Sequence, residues 1–190
     1  MKKITPILVL ATILAITSVF AAEQSTISLL STSSNSLHLK FESSPINFVE
    51  VETEQGLMQI PLMEGASPML LRGAPDLQKM AASYIIPKNA QTSFRVIASS
   101  YKDYEVEIAP SKGNLLRNID PSTVNYLFGK QYQTEGYFPG DLAEIQDSYI
   151  LRDFEGQAIW FYPMQYDAEN KRLRVYSEIE VQVNFNTDKQ

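Results

Sequence analysis

Side-chain catalysis needs a nucleophile and a base within hydrogen-bond reach of one another. The 190-residue sequence offers little of that kind, with no cysteine and one histidine, His38. His38 lies on the polar parity of a short alternating run, where a solvated surface histidine is expected. There is no Gly-x-Ser-x-Gly elbow, and Ser111-Lys112-Gly113 is a turn, since a phosphate loop needs far more. Asp153-Phe154-Glu155-Gly156 also reads as a turn between strands. Asp141, Glu144, Asp147 and Asp153 lie close together but lack calcium-loop spacing, and read as a solvated face. Lone imidazoles make poor transition-metal sites, and without thiols there is no disulfide framework. No catalytic residue, metal ligand or cofactor is assigned.

What remains is recognition chemistry. The stretch Ala109 to Pro121, "APSKGNLLRNIDP", leaves a strand, turns at Gly113 and holds Leu115, Leu116 and Arg117 on a connection. A guanidinium is a planar fork of donors, suited to a carboxylate at the floor of a pocket. Two leucines beside it would add apolar area, as in the central anchor of an interface. Pro110 and Pro121 restrict the ends of the connection and lower its ordering cost on binding. From composition alone, a surface arginine with its leucines tucked into the core is the plainer reading.

The elements that must hold this stretch are strands almost throughout. From Lys171 to Phe185, Leu173, Val175, Ile179, Val181, Val183 and Phe185 share one parity, with charged and polar residues on the other. That is a long strand with one buried and one wet face. Gln157 to Tyr166 is apolar on both faces, as for a central strand with an edge or bulge at Pro163, and Asp167 to Lys171 reads as a hairpin connection. Shorter alternating runs occupy Leu37–Phe41, Phe94–Ala98 and Tyr104–Ile108, and Phe48–Glu52 and Leu57–Leu62 flank a hairpin turn. Ala74–Ala82 and Pro139–Gln146 could each hold a short turn. Many short strands punctuated by Gly and Pro give an all-β class, an antiparallel sandwich or barrel. The irregular stretches Met63–Asp76 and Pro110–Gly140 are long enough to expect function in them. The aromatics from Tyr126 to Tyr166 either pack that core or line a groove, so a secreted carbohydrate- or surface-binding module is the alternative function.

The first residues read as a cleavable signal peptide. Lys2 and Lys3 precede an apolar run to Phe20, with cutting after Ala21 or Ala22. The expected layout is a signal over 1–21 and one domain over 22–190, exported through the periplasm and then secreted or held at the cell surface. No stable membrane association is expected after cleavage. Loss of the two lysines takes the formal net charge from −6 to −8. An acidic exported chain is a poor nucleic-acid binder, which would need a basic footprint.

From "IAPSKG" at Ile108 to "YSEIEV" at Tyr176, ordered motifs stand out: "YLFG" with Tyr126 and Gly129, "FPG" at Phe138, "ILRDFEGQ" at Ile150, and "PMQYDAENKRLRV" at Pro163. This order resembles the N-terminal propeptide of the gingipain-type cysteine peptidases, with "GAPDLQKMAASYIIP" at Gly73 similar to the strand entering that domain. The resemblance implies a β-sandwich that packs on a cysteine peptidase catalytic domain, keeps it latent and assists its folding. It also implies that the arginine after "SKG", here Arg117, enters the primary specificity pocket like a substrate. Leu115 and Leu116 then become flanking contacts and Asn118 the residue beyond the would-be scissile bond. Lys112 is the alternative bait, since the family also has lysine-specific members. The family's catalytic cysteine has no counterpart among the 190 residues, so the peptidase partner is expected in cis in a longer precursor or in trans.

Overall fold

A computed structural model describes residues 24–187, and the signal-peptide reading of residues 1–21 falls outside them. The strands in chain order are β1 (Thr26–Thr32), β2 (Ser36–Glu42), β3 (Ile46–Thr53), β4 (Gly56–Met63), β5 (Ser67–Pro68) and β6 (Gln78–Ile86). They continue with β7 (Gln91–Glu105), β8 (Ala143–Ile145), β9 (Tyr149–Leu151), β10 (Phe154–Phe161), β11 (Met164–Asp167) and β12 (Arg172–Asn186).

The long alternating run is β12, and it organises the first sheet. β7 pairs along the whole of one edge of β12, while β2 and β11 divide the other edge, with β1 outside β2. The apolar parity of β12 (Leu173, Val175, Ile179, Val181, Val183 and Phe185) is buried, as the alternation dictates. The second sheet is built on β10, flanked by β6 on one edge and by β8 and β9 on the other, with β5 outside β6. β3 and β4 form a separate hairpin. Every strand pairing is antiparallel. The two sheets share one core, in which Phe41 of β2 and Phe161 of β10 stack with ring centroids 6.2 Å apart.

Four expectations need correction. Gln78–Ile86, inside and beyond the stretch whose residue pattern suggested a short turn, is a full strand between β5 and β10, as the resemblance of Gly73–Pro87 to an entering strand implied. Its Ala81-Ala82-Ser83 centre has no strand propensity to read, and cross-sheet pairing overrides it. Ala143–Ile145 is likewise a strand on β10. Gln157–Tyr166 is not one bulged strand: β10 ends at Phe161 and β11 starts at Met164 in the other sheet. The residues between, Tyr162 and Pro163, carry the chain across the core, which is why both parities are buried. His38 is half-buried on the outer face of the first sheet and shares a hydrogen bond with Glu180 Oε2 at 3.0 Å. It is partnered, not simply solvated.

Candidate functional site

The Leu-Leu-Arg connection rises from a fixed base. Glu107 to Ser111 runs between β4 and the segment Gly73–Asp76, and Ile108, Ala109, Pro110 and Ser111 are all buried. On one side Gln59 donates its N–H to Glu107 O and accepts from Ala109 N–H, at 2.8 and 2.9 Å. On the other, Ser111 donates to Ala74 O, Gly73 to Ser111 O and Asp76 to Ala109 O, at 2.7 to 2.9 Å. Tyr132 donates its hydroxyl to Ile108 O at 2.8 Å, and its burial pushes the phenol well above the ordinary range. Backbone bonded on both sides is rigid backbone.

Above this base the chain leaves at Gly113, whose φ of +82° is left-handed and favours glycine. It returns at Pro121, which starts a one-turn 3-10 helix capped by Asp120. The Ser122 backbone N–H, then its hydroxyl, hold the Asp120 carboxyl below the usual carboxylate range. Lys112 bridges the two feet: its ammonium donates to Pro121 O at 2.8 Å and sits 4.2 Å from the Tyr126 ring centroid. Leu116 to Ile119 form a turn closed by Ile119 N–H to Leu116 O at 2.9 Å, with Arg117 and Asn118 at its two central positions. Leu116 is 69% exposed, Leu115 is half-buried, and Arg117 and Asn118 are exposed. Arg117 enters no ion pair among the described residues.

Asp76 lies under the loop. Burial pushes its carboxyl upward, partly offset by the Ser111 hydroxyl. The other acids noted in the sequence do not converge on a site. Glu144 accepts the Tyr162 hydroxyl at 2.6 Å, while Asp141, Asp147 and Asp153 are exposed. Among the described residues no group of acids and histidine is arranged to hold a metal ion. The aromatics mostly pack. Phe161, Tyr162 and Tyr166 are buried, Tyr132 meets Phe128 and Tyr166 edge-on, and the Lys79 ammonium covers the Trp160 ring, 2.9 Å from its centroid.

Residues 20–190 match the model of the family Propeptide_C25. The chain belongs to the Propeptide_C25 family. Gingipain R1 of Porphyromonas gingivalis is 35% identical over 155 residues, which make up 81% of this chain and 16% of that protein. The chain therefore spans about a sixth of the length of that relative. Among solved structures, a complex of the P. gingivalis RgpB pro- and mature domains superposes with a TM-score of 0.81 at 31% identity, covering 85% of each chain. A P. gingivalis gingipain K structure concerned with zymogenic latency superposes at 0.71 with 21% identity, covering 87% of this chain and 94% of that one, and supports the fold alone.

Three of the motifs quoted from the sequence meet at the base of the loop. "GAPD" and "APS" pair as backbone, and "YLFG" docks on "GAPD" through Gly129 N–H to Gly73 O at 2.8 Å. A Cβ on Gly129 would stand 2.8 Å from Gly73 O, so this approach is open only to glycine. Of the five sequence-predicted residues, Leu115 to Asn118 share the loop and Lys112 lies at its foot with its amine engaged within the propeptide. Sequence reasoning missed Arg72, which packs against Gly113: a Cβ there would be 2.8 Å from Arg72 Cβ. A signal was present, since Leu70-Leu71-Arg72 repeats the triplet Leu115-Leu116-Arg117.

Proposed function

We propose that this propeptide keeps a gingipain-type cysteine endopeptidase latent and assists its folding, offering Arg117 substrate-like to the primary specificity pocket. The observation that carries the reading is an exposed arginine, without an ion-pair partner among the described residues, at the tip of a loop whose feet are fixed on both sides. Free guanidinium donors on a pre-ordered loop lose little entropy on entering a carboxylate-floored pocket. Leu116, and Leu115 to a lesser degree, lie beside the pocket mouth, and Asn118 follows the would-be scissile bond. That bond joins the two central residues of a closed turn, a geometry that favours holding over cutting. Lys112 is a weaker bait because its ammonium already has a carbonyl and an aromatic ring.

In this reading residues 22–190 are a single β-sandwich exported behind a signal peptide, passing the periplasm to the outside or the cell surface. The partner is a cysteine peptidase catalytic domain, met in cis or in trans. A glycan platform is less well supported, because the Trp160 ring lies under Lys79 and the large central aromatics belong to the core.

The test is inhibition of an arginine-specific gingipain-type peptidase by the mature chain, beside Arg117→Ala and Lys112→Ala. Tight inhibition by the parent, lost on Arg117→Ala and largely kept on Lys112→Ala, is expected. Inhibition indifferent to Arg117 overturns the assignment.

A further inference from the structure

The loop does not stand alone on its face of the molecule. Leu70 and Leu71, 43% and 47% exposed, precede the exposed Arg72, and Leu127 beside them is 49% exposed. Leu70 has φ +57°, a left-handed conformation that a leucine adopts only when its surroundings impose it. The imposition is visible in two bonds flanking it: Met69 N–H donates to Leu77 O and Ala74 N–H to Leu71 O. The residue that follows, Gly73, is tied to Ser111 and Gly129, so the triplet is as firmly mounted as the loop.

Covalent geometry fixes how far this triplet lies from Arg117. Arg72 touches Gly113, and the four residues from Gly113 to Arg117 span at most about 14 Å of extended chain. A standard interface covers about 800 Å² on each partner, a disc of about 16 Å radius. A protein centred on Arg117 with such a footprint therefore covers Arg72 wherever the loop lies along the surface and not straight out from it.

We infer that Leu70, Leu71 and Arg72, with Leu127, form a second contact arm for the same peptidase domain that takes Arg117. The inference rests on the latency reading given above. The partner surface it requires is an apolar ledge edged by carboxylates next to the arginine pocket. The leucines act on dissociation, by excluding water around the anchor, and Arg72 acts at the rim on association.

The test measures association and dissociation rates of the mature chain on an active-site-inactivated, arginine-specific gingipain-type peptidase. The variants are Leu70→Asn with Leu71→Ser, Arg72→Ala, Arg117→Ala and, as exposed aliphatic residues elsewhere, Ile150→Ser with Leu151→Ser. Asparagine tolerates the left-handed backbone, and an unchanged thermal midpoint checks folding. The double Leu70/Leu71 variant is expected to dissociate about tenfold faster, and Arg72→Ala to associate a few-fold more slowly at low salt only, with the Ile150/Leu151 pair unchanged. Parent-like rates for the Leu70/Leu71 variant, with binding still lost on Arg117→Ala, overturn the arm and leave the bait intact. A folded parent that binds no such peptidase overturns both. Binding lost on Arg72→Ala but kept on Arg117→Ala makes Arg72 the pocket residue and overturns both assignments.

Discussion

Lys112 and Pro121 lie nine positions apart in the chain and are joined by one bond, Lys112 Nζ to Pro121 O at 2.8 Å, which closes the loop carrying Arg117. An exposed hydrogen bond of this kind contributes about 1 kcal/mol, the equivalent of a few-fold in affinity, and it does so by ordering the loop before binding. Lys112→Met is therefore expected to weaken inhibition by a few-fold up to about tenfold, far less than Arg117→Ala, with the thermal midpoint nearly unchanged. The same variant should be cut faster after Arg117, read by mass spectrometry of the complex over time. Loss of inhibition equal to that of Arg117→Ala would make Lys112 the bait.

Gly129→Ala places a methyl 2.8 Å from the backbone oxygen of Gly73. A flexible side chain could yield, but this carbonyl belongs to the base of the loop. The expected cost is about 2 kcal/mol of stability, within the usual range for overpacking, together with weaker inhibition. Urea unfolding and an inhibition assay on the same sample check both. Gly136→Ala is an informative contrast: it has no neighbour within 4 Å, so any effect comes from its positive φ alone.

The carboxyl of Asp76 is raised by burial, so the folded state favours its neutral form. A group raised in the fold contributes stability that is present below its unfolded pKa and lost as pH rises through the folded value. At pH 7 the charge is held at a cost. Asp76→Asn keeps an acceptor for Ser111 and removes the charge, and its thermal midpoint should exceed the parent's at pH 7. The gain should vanish at pH 3, where the parent carboxyl is protonated. A midpoint lower than the parent's at pH 7 would mean that the charged carboxylate is the stabilising form.

Phe161 stacks on Phe41 across the two sheets, and both rings are fully buried. Phe161→Ala removes that contact and leaves a cavity where neither sheet can close inward without disturbing its own ladder. The expected loss is about 3–5 kcal/mol, measured by denaturant unfolding. Phe154→Ala, on a side chain 58% exposed, should change stability by less than about 0.5 kcal/mol.

Legibility in the sequence followed how local each cause was. β12 was readable residue by residue because its alternation is long and one face is buried. β7 appeared as two short runs, since Ser99 and Ser100 interrupt the pattern and bulges against β12 shift the register there. The residue pattern alone did not show β6, which was expected only through the family resemblance, because Gln78–Ile86 owes its conformation to β10, more than sixty residues further on. The site divides in the same way. Arg117 and its leucines were visible as an oddity of composition and were assigned through ordered motifs. Arg72 was not assigned: the repeated Leu-Leu-Arg triplet was there to read, but its contact with Gly113 joins residues forty-one apart, which the triplet alone does not register.

β12 also has a consequence for tethering. Its Arg172 end adjoins the segment that leads into the loop, through Val106 N–H to Lys171 O, and its other end lies at Asn186, opposite Gln91. Fifteen strand residues cover about 45 Å at ~3.3 Å each. A peptidase joined in cis beyond Asn186 must return that distance to meet Arg117, which takes about 13 extended residues unless the peptidase itself spans the sheet. With a shorter join, either the peptidase domain covers that distance with its own breadth or the pair meets only between molecules.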